Sequence, residues 1–72
     1  MTGEELQKIA NAHGLGHLKY WKACSMLGQA LQMQELPPER FRAWVANCLE
    51  MEGFTPEGID IVADALRSRG KP

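Results

Sequence analysis

Three breaks constrain this chain more than any single run does. Gly14-Leu15-Gly16, Leu36-Pro37-Pro38 and Gly53-Phe54-Thr55-Pro56 cut it into four stretches, each long enough for one helix. Glycine supplies the left-handed conformation that stops a helix. Proline fits the first helical position, where its missing N–H is not needed. Each stretch carries apolar residues at helical spacing, and the chain has no Asn-Gly or Asp-Gly pair and no alternating β-branched run. The expectation is an all-α chain, one compact domain over residues 1–72. Its four short helices fall at about 3–13, 17–34, 38–52 and 56–68, with a loose tail at 70–72.

Local chemistry marks the helix starts. Thr2-Gly3-Glu4-Glu5 has the form of a capping box, in which the Thr2 hydroxyl accepts from the Glu5 amide and the Glu5 carboxylate returns the bond. Leu6, Ile9 and Ala10 give that helix a short apolar stripe. In the third helix Pro38 suits the first position, Leu36 can staple to Phe41, and Phe41, Trp44, Val45, Cys48 and Leu49 share a face. The fourth repeats the device with Thr55 as cap, Pro56 as first residue and Phe54 stapling to Ile59. Its inner face is Ile59, Val62, Ala63 and Leu66, and Arg67 and Arg69 complement the dipole at its C-terminus.

The longest helical stretch, His17–Met33, has two apolar aspects where a small domain needs one. Tyr20, Cys24, Leu27 and Leu31 recur at i, i+4, i+7 and i+11, so they are expected to form the buried seam. Leu18, Met26 and Met33 fall on the other side beside Lys19, Lys22 and Gln29, with Trp21 at the margin. Methionine adapts to varied partners, and an apolar stripe ringed by polar residues suits a docking surface. Leu18, Lys19, Trp21, Lys22, Met26, Gln29 and Met33 are therefore the candidate partner-binding residues. The competing reading encloses this helix on both sides. Gly28, which costs about 1 kcal/mol relative to alanine, is expected where a neighbouring helix comes close.

Seventy-two residues make one small core, worth roughly 3–5 kcal/mol, from which a catalytic pocket would have to be cut. Net charge is −1, with eight Lys and Arg against nine Asp and Glu, which argues against nucleic-acid binding through overall charge. The distribution is uneven: from Leu6 to Gln34 the only charged residues are Lys8, Lys19 and Lys22. The first apolar run is too short for a signal peptide and no stretch approaches a membrane span, so a cytoplasmic protein is expected. Cys24 and Cys48 each sit on a predicted apolar seam and read as small buried hydrophobes in a reducing compartment. His13 and His17 have the i, i+4 spacing of a metal pair that those cysteines could complete. The glycines between the histidines oppose a shared helical face, so no metal or other cofactor is expected. Cys24 with His17 is too little for nucleophilic catalysis, and no catalytic residue is assigned.

Residues Leu6–Ala23 resemble a helix-turn-helix. Ala10 stands four before the turn glycine Gly14, apolar Leu15 follows it, and Tyr20 and Ala23 take the second helix's core positions. That resemblance implies a second helix presenting His17, Lys19 and Lys22 to the major groove of DNA, and a role as a small transcriptional regulator. As a whole the chain is similar to the small proteins that bacteriophages make to bind host RNA polymerase: short, helical, cytoplasmic and free of cofactors. This second resemblance rests on size, class and the lack of catalytic groups. It implies a non-enzymatic regulator that alters transcription by inhibiting initiation or by antitermination. Its partner would be a polymerase subunit, with no small-molecule substrate and no membrane. It is the expectation preferred here, with the DNA-binding regulator as the alternative.

Overall fold

The computed structural model describes the backbone of residues 1–69 and the side chains of residues 1–68. The tail expected at 70–72 and the side chain of Arg69 lie outside the described residues. The order is α1 (Gly3–Asn11), α2 (Tyr20–Met33), α3 (Pro38–Leu49) and α4 (Pro56–Arg69), with a 3-10 turn, Glu50–Glu52, following α3. The all-α expectation holds, and the described residues contain no strand.

The helix starts are made as the side chains dictate. Thr2 Oγ1 accepts from Glu5 N at 3.1 Å and Glu5 Oε1 accepts from Thr2 N at 3.1 Å, closing the capping box. Pro38 and Pro56 open α3 and α4, and Thr55 Oγ1 accepts from Gly58 N at 3.1 Å. Gly53, at φ 75°, ends the 3-10 turn in the left-handed conformation, which a side chain would strain.

One buried cluster draws on every helix: Leu6 and Ala10 from α1, Ala23, Met26, Leu27 and Ala30 from α2, Phe41, Val45 and Leu49 from α3, and Val62, Ala63 and Leu66 from α4. Trp44, Cys48, Phe54 and Ile59 pack against its rim. The inner faces expected for α3 and α4 are therefore the observed ones. The helix that packs on all three others is α4, whereas α2 leans chiefly on α1.

The connection between α1 and α2 departs from expectation. Helix α1 stops at Asn11 and α2 starts at Tyr20, leaving residues 12–19 outside helix. A side chain explains why α2 starts late. Asn11 Oδ1 accepts from Leu18 N at 2.8 Å and Asn11 Nδ2 donates to Leu18 O at 3.2 Å. The amide thus brackets one residue as a neighbouring strand would. Both backbone groups of Leu18 are satisfied away from a helix, and its side chain drops fully into the core. The other end of this connection is held by Leu15 O, which accepts from Thr55 N at 3.0 Å.

Candidate functional site

The inner and outer faces of α2 are the reverse of those expected. Tyr20 is 57% exposed, Leu31 is 60% exposed and Cys24 is exposed, so of the expected seam only Leu27 is core. Leu18 and Met26, expected on an outward stripe, are fully buried, and Met33 is half-buried. These three residues therefore cannot meet a partner as a stripe. The physical reason lies in the alanines. Ala23, Met26, Ala30 and Met33 recur at i, i+3, i+7 and i+10, and the two alanines are fully buried where α2 meets its neighbours. Small residues let helix axes approach, and that turns the bulkier Tyr20 and Leu31 outward. The close approach of α1 and α2 is carried by Gly3, where a Cβ would collide with the Cys24 sulfur. Gly28 has open space beyond it instead, with nothing within 4 Å of where a Cβ would stand. No neighbouring helix of this chain accounts for it.

The face α2 turns to solvent holds Tyr20, Trp21, Cys24, Ser25, Gly28, Gln29, Leu31 and Gln32, all exposed and none charged. Every other helix shows charge at its exposed positions: Glu4, Glu5 and Lys8 on α1, Glu39 and Arg40 on α3, and Glu57, Asp60 and Asp64 on α4. The outer face of α2 is thus the place where aromatic and aliphatic surface gathers with no charged residue at an exposed position, the half-buried Lys22 lying at its margin. Charge-depleted, aromatic-rich surface is the composition of interface centres. Trp21 is 62% exposed, with the Lys22 ammonium 5.5 Å from its ring centroid. Gln29 Nε2 donates to Ser25 Oγ at 3.3 Å along the same face. At the α1 edge, the Tyr20 hydroxyl is pushed above its ordinary pKa. The causes, from the largest, are its hydrogen bond to Cys24, the Cys24 charge, desolvation and the Glu4 charge.

Of the residues expected to bind a partner, Lys19, Trp21 and Gln29 are exposed and Lys22 is half-buried. Sequence reasoning missed Tyr20, Cys24, Gly28 and Leu31 on this surface. The heptad spacing of the two alanines was the available signal, but alanine adds little to a hydropathy pattern.

The helix-turn-helix geometry is not formed. Its helices join through a turn of about three or four residues, whereas the stretch 12–19 is twice as long. Tyr20, expected in its core, faces solvent, and His17 and Lys19 lie off the helix that was to present them. Nor do the metal candidates converge: His13 and His17 are exposed in the connection, Cys24 is on the outer face of α2 and Cys48 is half-buried on α3. Among the described residues no three of His, Cys, Asp or Glu gather into a metal-sized cluster. Both cysteines are free thiols, but Cys24 is exposed, so the buried role expected for it does not hold. For Cys48 burial pushes the thiol pKa up, and the Lys22 charge offsets part of that rise.

A cleft of about 260 Å³ lies between the start of α3 and the middle of α4, lined by Glu39, Arg42, Asp60, Asp64 and Arg67 among others. It falls below the roughly 300–1,000 Å³ of small-molecule pockets, which are also mainly apolar. Two of its charges pair with each other, Arg42 Nε with Asp60 Oδ1, and Arg42 Nη2 donates to Pro56 O at 3.4 Å. No helix among the described residues is long and apolar enough to cross a membrane. No protein family matches the chain, and neither the curated proteins nor the solved structures compared with it gave a match.

Proposed function

We propose that this chain is a non-enzymatic regulator that works by binding a protein through the outer face of α2. The observation that carries the reading is that eight exposed residues on this one helix include a tyrosine, a tryptophan and a leucine but no charge. Tryptophan and tyrosine are favoured where a few residues carry most of the binding energy, because they bury much area at small entropic cost. The same surface disfavours the DNA-binding alternative. A neutral helix face releases few counterions from a phosphate backbone, and Glu4 stands beside Tyr20 at its N-terminal end. The reading places the protein in the cytoplasm, where its free thiols would stay reduced. A subunit of RNA polymerase, the partner implied by the resemblance to phage regulators, is the first protein to try.

Trp21 is a built-in reporter. In a Trp44→Phe variant it is the only tryptophan, and its emission reports whether the face is covered. Titration at a dilution where the chain is monomeric, with purified bacterial RNA polymerase and the emission of polymerase alone subtracted, is expected to give a saturable blue shift, with no change on adding duplex DNA. An unchanged spectrum with polymerase removes that partner. Tight DNA binding that weakens steeply with salt would overturn the reading in favour of its alternative.

A further inference from the structure

We infer that a second copy of this chain docks on the outer face of α2, the two helices running antiparallel about a two-fold axis. This rests on reading that face as a docking surface and names its occupant. A two-fold interface sets the same patch against itself, so a charge near its centre approaches its own like. Eight exposed positions without a charge meet that condition, and the exposed positions of the other three helices do not.

The order of large and small residues along α2 fits the same symmetry. With the axis crossing midway between Cys24 and Gly28, an antiparallel mate sets Cys24 of one copy opposite Gly28 of the other. Trp21 then stands opposite Leu31 of the second copy, and Tyr20 opposite its Gln32. Small meets small at the crossing, where backbones must approach, and an aromatic ring covers a leucine at each end. This gives Gly28 a role that the chain's own packing does not, since nothing lies within 4 Å of where its Cβ would be.

Charge selects the direction. Lys19 caps the N-terminal end of α2 and Glu35 follows its C-terminal end, and both are exposed. Antiparallel pairing brings each lysine toward the partner copy's glutamate, whereas parallel pairing would set like beside like. A 14-residue helix is about 21 Å long, so the contact is of the small, reversible kind and its occupancy follows concentration.

The test is sedimentation equilibrium over a concentration series, on the wild-type chain and on Gly28→Arg. The space beyond Gly28 is open and arginine is the better helix former, so the variant is expected to fold, with a melting temperature no lower than wild type at a dilution where both are monomeric. The wild-type mass is expected to rise from the monomer value toward double as concentration increases, and Gly28→Arg to stay monomeric throughout. A wild-type chain that remains monomeric overturns the second copy as occupant. So does a Gly28→Arg variant that dimerises as readily as wild type. The docking reading fails separately: it falls if Gly28→Arg leaves the Trp21 response to polymerase unchanged.

Discussion

Two solvent-facing regions of this protein are built on opposite terms. The outer surface of α3 and α4 displays Glu39, Arg40, Glu57, Asp60 and Asp64, and the Arg42–Asp60 pair ties the two helices together. The outer face of α2 displays tyrosine, tryptophan, leucine, glutamine, serine, cysteine and glycine. Both are helix surfaces of the same small domain, so a general need for solubility does not account for the difference. The charged region gains its solvation by staying wet. The uncharged region leaves aromatic and aliphatic side chains in water, each of which could recover about 1.5–3 kcal/mol by burial. On the function proposed, a surface of the second kind is explained by a partner that covers it.

The largest effect expected from this contrast concerns the inner side of α2. Met26→Glu puts a charge where the side chain is fully buried, at a cost of about 3–5 kcal/mol. That equals the whole margin available to a domain of this size. The variant should lose its helical circular dichroism at 25 °C, and a wild-type melt would reverse the assignment of the two faces. Asn11→Ala comes next. It removes both partners of the Leu18 backbone, and at about 1 kcal/mol per hydrogen bond should lower the urea-unfolding free energy by about 2 kcal/mol. A smaller loss would mean that Leu18 is held by its side chain alone. Arg42→Ala should cost less than about 1 kcal/mol, because both partners of its ion pair are largely exposed, and the cost should shrink in high salt.

The smallest signal is a difference in thiol reactivity. Cys24 lies on the outer face of α2 and, at a dilution where the chain is monomeric, should be alkylated by iodoacetamide before Cys48, whose burial keeps its proton on to higher pH. The sign for stability follows from the same shift. A thiol pKa raised by folding contributes fully below the unfolded value of about 8.5. That contribution is lost as pH rises from there through the folded value. Mass spectrometry of partly alkylated protein reads the order directly, and preferential labelling of Cys48 would contradict the burial assigned to it.

The contrast also explains what was legible in the sequence. Helices α3 and α4 could be read because charges flank their apolar stripes on both sides, as Glu39, Arg40 and Arg42 do around Phe41. Their prolines and Thr55 marked where they begin. Helix α2 lacked that guide. With no charge between Lys22 and Glu35, its two stripes had to be judged on apolar bulk, which favoured Tyr20 and Leu31 over Ala23 and Ala30. Packing decided otherwise, because close helix approach rewards small side chains. The late start of α2 was hidden for a different reason. A single asparagine seven residues away supplies the backbone partners that a further turn of helix would otherwise have given Leu18. The proposed docking surface therefore lies on the helix that the sequence singled out but largely on its other side, with Trp21, Gln29 and Lys19 the expected partner-binding residues that are exposed.

The central claim is that the outer face of α2, beyond the edge where Tyr20 and Cys24 lie against Gly3 of α1, takes no part in holding the monomer together. Urea unfolding of Leu31→Ser tests it most directly, run at a dilution where sedimentation shows only monomer. The account predicts an unfolding free energy within about 0.5 kcal/mol of wild type, the range for an exposed position. A loss of about 2–5 kcal/mol, the range for a leucine cut out of a core, would contradict it.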